Sequence, residues 1–336
     1  MLSRFSKTVA DLLPHKSRFF DDNEQLLARQ RELAALYVSQ PKRTACMTCA
    51  MPLPAVALFS KLGAPYFLCD RCGHLNGGHV DSDAFCRAVY TDGGGAAYAS
   101  TYRSADADAY AARVRDIYAP KVRFLIDGLM ACGADPGALT YADLGAGSGY
   151  MVAALGDAGL SATGYEVSEA QIAVARAVRP DILIRHHEMA AVYGIAGAVN
   201  ANVVSMVGVL EHLQRPRDIL ASLKANPEVR YVLVSVPLHS FSVFVELAFP
   251  GVMQRHLSGA HTHLYTNRSL SHLEREFGLV RVGEWWFGTD MLDLYRSMSV
   301  TFGDQAAILR PLIDPLQRLL DEGRHCSEVH LLWRTR

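Results

Sequence analysis

The chain has 336 residues, half of them apolar and a fifth charged, which is enough for one large core and a smaller module. Lys plus Arg (33) nearly balances Asp plus Glu (34), and this argues against a surface devoted to nucleic acid. No stretch has the ~18 consecutive apolar residues of a membrane-spanning helix. The opening MLSRFSKTVADLLPHKSRFF lacks the apolar run and small-residue cleavage site of a secretory signal.

Residues 21–39 place Leu26, Leu27, Leu33, Ala34 and Tyr37 at helical spacing behind an acidic first turn, and predict an amphipathic helix. Next come two C-x-x-C knuckles, Cys46 with Cys49 and Cys69 with Cys72. A two-residue gap lets both thiolates of a knuckle reach one ion, and two knuckles complete the tetrahedral sulfur shell that zinc favours. Four thiolates leave no open position, so the ion is expected to be structural; a redox role for one knuckle is the alternative. Seven cysteines is an odd count. A metal in a reducing, cytoplasmic setting therefore fits better than a disulfide framework, and Cys86, Cys132 and Cys326 read as packed thiols. Gly93, Gly94 and Gly95 form a joint, and Tyr98 and Tyr102 follow it. A helix is predicted from about Ala105 to Met130, kinked or split at Pro120.

From Leu139 onward strands and helices alternate. Strands are predicted at 139–144, 161–166, 181–185, 201–207, 230–236, 279–286 and 328–334, and helices at 148–158, 168–178, 216–225, 267–277 and 304–322. Short Val-, Ile- and Leu-rich runs between helices indicate a mostly parallel sheet covered on both faces. The expected fold is α/β: a doubly wound, mostly parallel, seven-stranded Rossmann-like sheet behind a small zinc ribbon. The expected divisions are a helical segment at 1–45, the ribbon at 46–90 and the α/β domain at 91–336.

Strand 139–144 runs directly into Asp143-Leu-Gly145-Ala146-Gly147-Ser-Gly149 and then into a helix pattern. Glycines at such a turn let the chain fold tightly and let a ligand touch the main chain. Glu166 closes the next strand, the position from which an acid accepts hydrogen bonds from ribose hydroxyls. The spacing is G-x-G-x-G rather than G-x-G-x-x-G, and no G-K-[ST] follows, which turns the reading away from a pyrophosphate ligand.

YADLGAGSGY (141–150), GYEVSEAQIAVAR (164–176) and NVVSMVGVLEHLQRP (202–216) together resemble the class I S-adenosylmethionine-dependent methyltransferases. The last segment is similar to the small-molecule branch that includes ubiquinone-pathway O-methyltransferases. The resemblance implies that the backbone of Gly145, Ala146 and Gly147 lines the methionine end of the cofactor and that Asp143 supports its amino group. It further implies that Glu166 takes the ribose hydroxyls, Val167 borders the adenine, and Val207 packs beneath the cofactor. A zinc ribbon ahead of such a domain resembles sugar methyltransferases of deoxysugar and surface-polysaccharide pathways. It also resembles a ribosomal-RNA guanine methyltransferase with an N-terminal zinc module.

Between the fifth strand of the α/β domain and the next helix lie His239, His256, His261 and His263. The stretch His263-Leu-Tyr-Thr-Asn-Arg-Ser-Leu270 is similar to a segment that sits above the cofactor in small-molecule methyltransferases. An oxygen acceptor must lose its proton, and an imidazole can take it; His263 is the first candidate base and His261 the second. Glu211 is a candidate for the acceptor pocket, and His212 reads as structural. Trp285, Trp286, Phe287 and Asp290 form an aromatic–acid cluster expected to pack against helix 304–322, whose wide apolar face should be buried. The function expected is methyl transfer from S-adenosylmethionine to a small polar acceptor, a nucleotide-linked sugar or saccharide. RNA is the second reading, because residues 1–80 hold only ten Lys/Arg against six Asp/Glu without a dense cluster. A non-catalytic scaffold is the third. The methylated atom, oxygen, nitrogen or carbon, stays open.

Overall fold

The computed structural model describes residues 1–8, 23–91, 106–253, 257 and 261–336. The expectations at Gly93, Gly94, Gly95, Tyr98, Tyr102 and His256, and for the side chain of Leu26, lie outside the described residues. Among the described residues the strands are β1 (Leu2–Phe5), β2 (Phe59–Lys61), β3 (Ala64–Leu68), β4 (Leu75–Gly77), β5 (Tyr141–Leu144), β6 (Ala162–Glu166), β7 (Leu183–His186), β8 (Val203–Val207), β9 (Tyr231–Pro237), β10 (His263–Leu264), β11 (Val280–Phe287) and β12 (Glu328–Arg334).

The large sheet has the order β1-β11-β12-β9-β8-β5-β6-β7. Only β12 runs antiparallel to its neighbours, β9 and β11; the other pairings are parallel. Side chains alternate between two buried layers, as a strand's period of two requires. Val204, Met206, Val232 and Val234 meet Ile219, Leu220 and Leu223 on one face. Val203 and Leu233 meet Phe124, Leu125 and Met151 on the other. All seven predicted strands form. The eighth, β1, was not anticipated, because four residues (Leu-Ser-Arg-Phe) carry no readable period. It pairs parallel to β11 from Leu2↔Gly283 to Phe5↔Trp286 and covers what would be an open edge.

The predicted helix from Ala105 to Met130 is divided. Ala107–Arg113 passes through a single π turn, Val114–Tyr118, into Ala119–Ala131. Pro120 stands in the first turn of that last segment, where its missing N–H costs nothing. The Ala119 N–H reaches back to the Val114 carbonyl, and the widened turn lies just ahead of the proline.

The cysteine segment builds an antiparallel sheet of order β10-β4-β3-β2. Its fourth strand, β10, comes from the C-terminal half of the chain, with His263 opposite Asn76 and Leu264 opposite Leu75. The seam is pinned by Arg268 Nη2 donating to the carbonyls of Asp70 (2.8 Å) and Arg71 (3.0 Å), by Thr266 Oγ1 to Gly73 (3.0 Å), and by Arg217 Nη1 to Thr48 (2.8 Å). The ribbon is therefore continuous with the large domain through β10.

Helix 304–322 differs from its expectation. It forms as a 3-10 segment, Gly303–Leu309, followed by an α-helix, Arg310–Glu322, but Ile308, Leu312, Leu316 and Leu319 are exposed, and Ile313, Gln317 and Asp321 face inward. The reason is a buried polar cluster. Asp290 is fully buried, and Gln317 Nε2 donates to its Oδ2 (3.3 Å) and to Asp321 Oδ1 (2.9 Å), while Gln317 Oε1 accepts the Met291 N–H (2.9 Å). Leaving those groups unpaired in the interior would cost more than exposing leucines. Trp285, Trp286 and Phe287 are buried along β11, as a packing role requires.

His263 sits in the seam, fully buried. Its Nδ1 lies 3.0 Å from His74 Nε2, and its ring meets Tyr265 edge-on. His263→Ala should leave His74 without its partner and open a void. Urea unfolding is expected to show a loss of about 2–4 kcal/mol; a stability equal to the parent would contradict this structural placement.

Candidate active site

The C-terminal ends of the central strands open onto a cavity of about 520 Å³, within the range of small-molecule sites. One wall is the turn after β5. Gly145 (φ 73°) and Gly149 (φ 78°) adopt the left-handed region. A Cβ on Gly145 would stand 2.5 Å from Val209 Cγ2, and one on Gly149 2.5 Å from Ile182 Cδ1. No side chain fits without displacing a neighbour, so both conformation and space demand glycine. The N–H groups of Gly145 and Ala146 both donate to the Tyr165 carbonyl (2.8 and 3.0 Å), which ties the turn to β6.

Glu166 ends β6 and is buried. Its Oε2 accepts the Gly147 N–H at 2.7 Å, and its Oε1 accepts those of Val167 (2.8 Å) and Ser168 (2.7 Å). Three donors fix the carboxylate at the cavity wall. A carboxylate offers about four lone-pair sites, so capacity remains for a ligand hydroxyl. Gly145, Ala146, Gly147, Glu166, Val167 and Val207 all line this cavity. Asp143 does not. Its carboxylate is buried between β5 and β8, where Ser205 Oγ donates to Oδ1 at 2.5 Å. Burial, reinforced by the nearby Glu166 charge, pushes it up to about 7, although the Ser205 bond and Lys121 pull the other way.

Glu211, His212 and His261 line the same cavity. Glu211 and His212 stand on the 3-10 turn Leu210–His212 after β8. Burial raises the Glu211 carboxyl to about 8. Its Oε2 is buried and has no hydrogen-bond partner among the described residues. His212 Nδ1 lies 2.7 Å from the Tyr90 hydroxyl, and the His212 and His261 rings stand 5.2 Å apart.

Of the two candidate bases, His261 lines the cavity and His263 does not. The sequence preference for His263 is corrected here. Residues 263 and 264 pair with β4, and that pairing turns the His263 ring onto His74 in the ribbon seam. His212, read as structural, stands in the cavity instead.

Several lining residues carried no recognised motif. Arg113, Ile117, Tyr118 and Lys121 come from the π turn and its flanks, and Ser235 and Glu328 from β9 and β12. Burial lowers the Lys121 ammonium pKa; its Nζ lies 3.9 Å from Glu328 Oε1. Ser235 Oγ donates to that same oxygen at 2.7 Å. The available signals were a lysine beside the proline of the predicted helix and an acid opening the apolar last strand.

The cysteines converge away from this cavity. Cys46 Sγ lies 3.6 Å from Cys72 Sγ and Cys49 Sγ 3.5 Å from Cys69 Sγ, with all four sulfurs within 4.8 Å of one another. Asn76 supports them: its Nδ2 lies 3.5 Å from Cys46 Sγ, and its Oδ1 accepts the Met47 N–H at 2.9 Å.

Among the described residues no helix is long and apolar enough to cross a membrane. No curated protein matches the sequence. Among solved structures, the chain is similar to magnesium protoporphyrin IX methyltransferase from Synechocystis PCC 6803, with bound SAH, at 14% identity over 75% of this chain and 99% of that one (TM-score 0.48). It is also similar to a SAM dependent methyltransferase from Archaeoglobus fulgidus, at 14% identity over 66% and 94% (TM-score 0.44). A third is geranyl diphosphate C-methyltransferase from Streptomyces coelicolor A3(2), at 13% identity over 70% and 86% (TM-score 0.43). The family model of the methyltransferase domain matches residues 110–282, just over half of the chain, from just ahead of the π turn into β11. The chain belongs to this methyltransferase-domain family and is an S-adenosylmethionine-dependent methyltransferase.

Proposed function

We propose that the chain transfers a methyl group from S-adenosylmethionine to a hydroxyl of a small polar acceptor, a nucleotide-linked sugar or saccharide. The observation that carries this reading is one cavity lined both by a ribose-type carboxylate, Glu166, and by a cluster of a carboxylate with two imidazoles. When bound, the sulfonium supplies an activated methyl group; the chain's own residues align the partners and favour loss of the acceptor proton. Glu166 would hold the ribose hydroxyls, the backbone of Gly145, Ala146 and Gly147 the methionine end, Val167 the adenine edge, and Val207 the underside. Asp143 would act from beneath the loop. Glu211, His212 and His261 would receive the acceptor. A hydroxyl has a proton to lose, which makes oxygen the atom best matched to that cluster.

An RNA acceptor has less support. Arg43 pairs with the buried Asp81 at 2.8 Å, Arg268 holds ribbon carbonyls, and Arg217 pairs with Glu276. These cations at the ribbon are engaged internally rather than offered to phosphates.

The four cysteines fit a structural zinc. With Zn–S bonds of about 2.3 Å, tetrahedral sulfurs stand about 3.8 Å apart, close to the 3.5 and 3.6 Å seen for two of the pairs. The Asn76 amide beside Cys46 is the kind of outer contact that orients a ligand. We therefore assign Cys46, Cys49, Cys69 and Cys72 as the ligands of one zinc ion that holds the ribbon and does no chemistry.

Two results are expected. Glu166→Ala removes a charge-assisted bond to the ribose, about 1.5–3 kcal/mol, so calorimetry should show S-adenosylmethionine binding at least about tenfold weaker; unchanged affinity would refute the assignment. Elemental analysis should find about one zinc per chain, and Cys69→Ser should lose it with a lower melting temperature. Metal-free parent protein with all four thiols titratable would rule the site out.

A further inference from the structure

The acceptor wall contains a cluster that proton transfer alone does not account for. Glu211, His212 and His261 each offer one ligand atom, and those atoms all lie within 4.8 Å of one another. Ligand atoms around one ion with bonds of about 2.1 Å stand roughly 3.0–4.2 Å apart. The separation of His212 Nε2 from Glu211 Oε1, 3.9 Å, already falls in that range. We propose that Glu211, His212 and His261 bind a divalent first-row cation, and that the acceptor is an oxygen compound with two neighbouring oxygens that completes the ion's coordination.

Three observations support the site beyond the clustering. The first is tautomer control. The Tyr90 hydroxyl sits 2.7 Å from His212 Nδ1. When that hydroxyl accepts the Nδ1 proton, the Nε2 lone pair faces Glu211 Oε1, 3.9 Å away, the arrangement by which outer contacts orient metal-bound histidines. The second is the buried and unpartnered Glu211 Oε2. An uncompensated carboxylate oxygen in the interior is costly, and a cation in the cavity would compensate it. The third is the donor set. Two imidazoles and one carboxylate suit manganese, iron, cobalt or zinc rather than magnesium or calcium, which prefer all-oxygen shells.

This inference rests on the methyl-transfer reading and gives the acceptor wall its chemistry. A cation lowers the pKa of an oxygen bound to it. The acceptor hydroxyl then releases its proton to solvent water near neutral pH. Its oxygen forms the new bond to the methyl carbon as the sulfur–methyl bond breaks, and that electron pair returns to sulfur. Both ends of a vicinal diol could occupy open positions, which would hold one oxygen in line.

The test uses the full-length, zinc-loaded chain and Mn²⁺ alone as the probe, because thiolates disfavour manganese relative to zinc. Electron paramagnetic resonance of free Mn²⁺ should reveal one site per chain beyond the zinc. Glu211→Gln and His261→Gln should each weaken it at least about tenfold, and Tyr90→Phe should weaken it with all three ligands intact. Zinc content and S-adenosylhomocysteine affinity, measured on the same samples, show that each variant is folded. A parent that takes up no Mn²⁺ at about 1 mM, or a folded His261→Gln that binds it as the parent does, would overturn the proposal. If S-adenosylhomocysteine binds and Mn²⁺ does not, only the metal proposal fails; if S-adenosylhomocysteine does not bind the parent, the methyl-transfer reading fails.

Discussion

Three backbone N–H groups converge on the buried carboxylate of Glu166, and the geometry of the Gly145–Glu166 side of the cavity depends on that convergence. One donor comes from Gly147 in the turn after β5, and two come from the residues that leave β6. The carboxylate therefore joins two loops that would otherwise be set only by their own strands. The Gly145 and Ala146 amides on the Tyr165 carbonyl make the same connection through the backbone. The turn can approach this closely because Gly145 and Gly149 carry no Cβ where Val209 and Ile182 already stand. A site organised in this way needs little rearrangement when a ligand arrives, which is what preorganised catalysis requires.

The second organising feature is the seam between ribbon and sheet. A short cysteine segment cannot bury a core alone, and this one obtains support from two sources. One is the cluster of four cysteine sulfurs. The other is β10, whose pairing with β4 sends His263 into the seam and leaves His261, two residues earlier, at the cavity. The stretch from His261 to Leu264 thus contributes both to the cavity lining and to the ribbon sheet. Tyr90, at the end of the helix that follows the ribbon, reaches the same cavity through His212.

Much of this was legible in the sequence. Strands of period two with apolar residues on both faces, a glycine turn and an acid at the next strand end are local signals, and the seven predicted strands formed where those signals lay. What could not be read were outcomes of long-range pairing. β1 is four residues long and exists because β11 would otherwise be an open edge. The inward side of helix Arg310–Glu322 is polar because Asp290, twenty-seven positions before Gln317, is buried and needs donors. His261 and His263 share a sequence context, and only the register of β10 against β4 separates a cavity residue from a seam residue. Lys121 and Glu328 lie far apart in sequence and meet only when Ala119–Ala131 packs over the end of β12.

The central claim is that one cavity holds the methyl donor between the Gly145–Glu166 wall and the Glu211, His212 and His261 wall. A crystal structure of the full chain with S-adenosylhomocysteine tests it most directly. The account predicts ribose oxygens within hydrogen-bond distance of the Glu166 carboxylate and the thioether sulfur directed across the cavity toward Glu211 and His261. Ligand density with the ribose away from Glu166, or with the sulfur facing away from the acceptor wall, would contradict it.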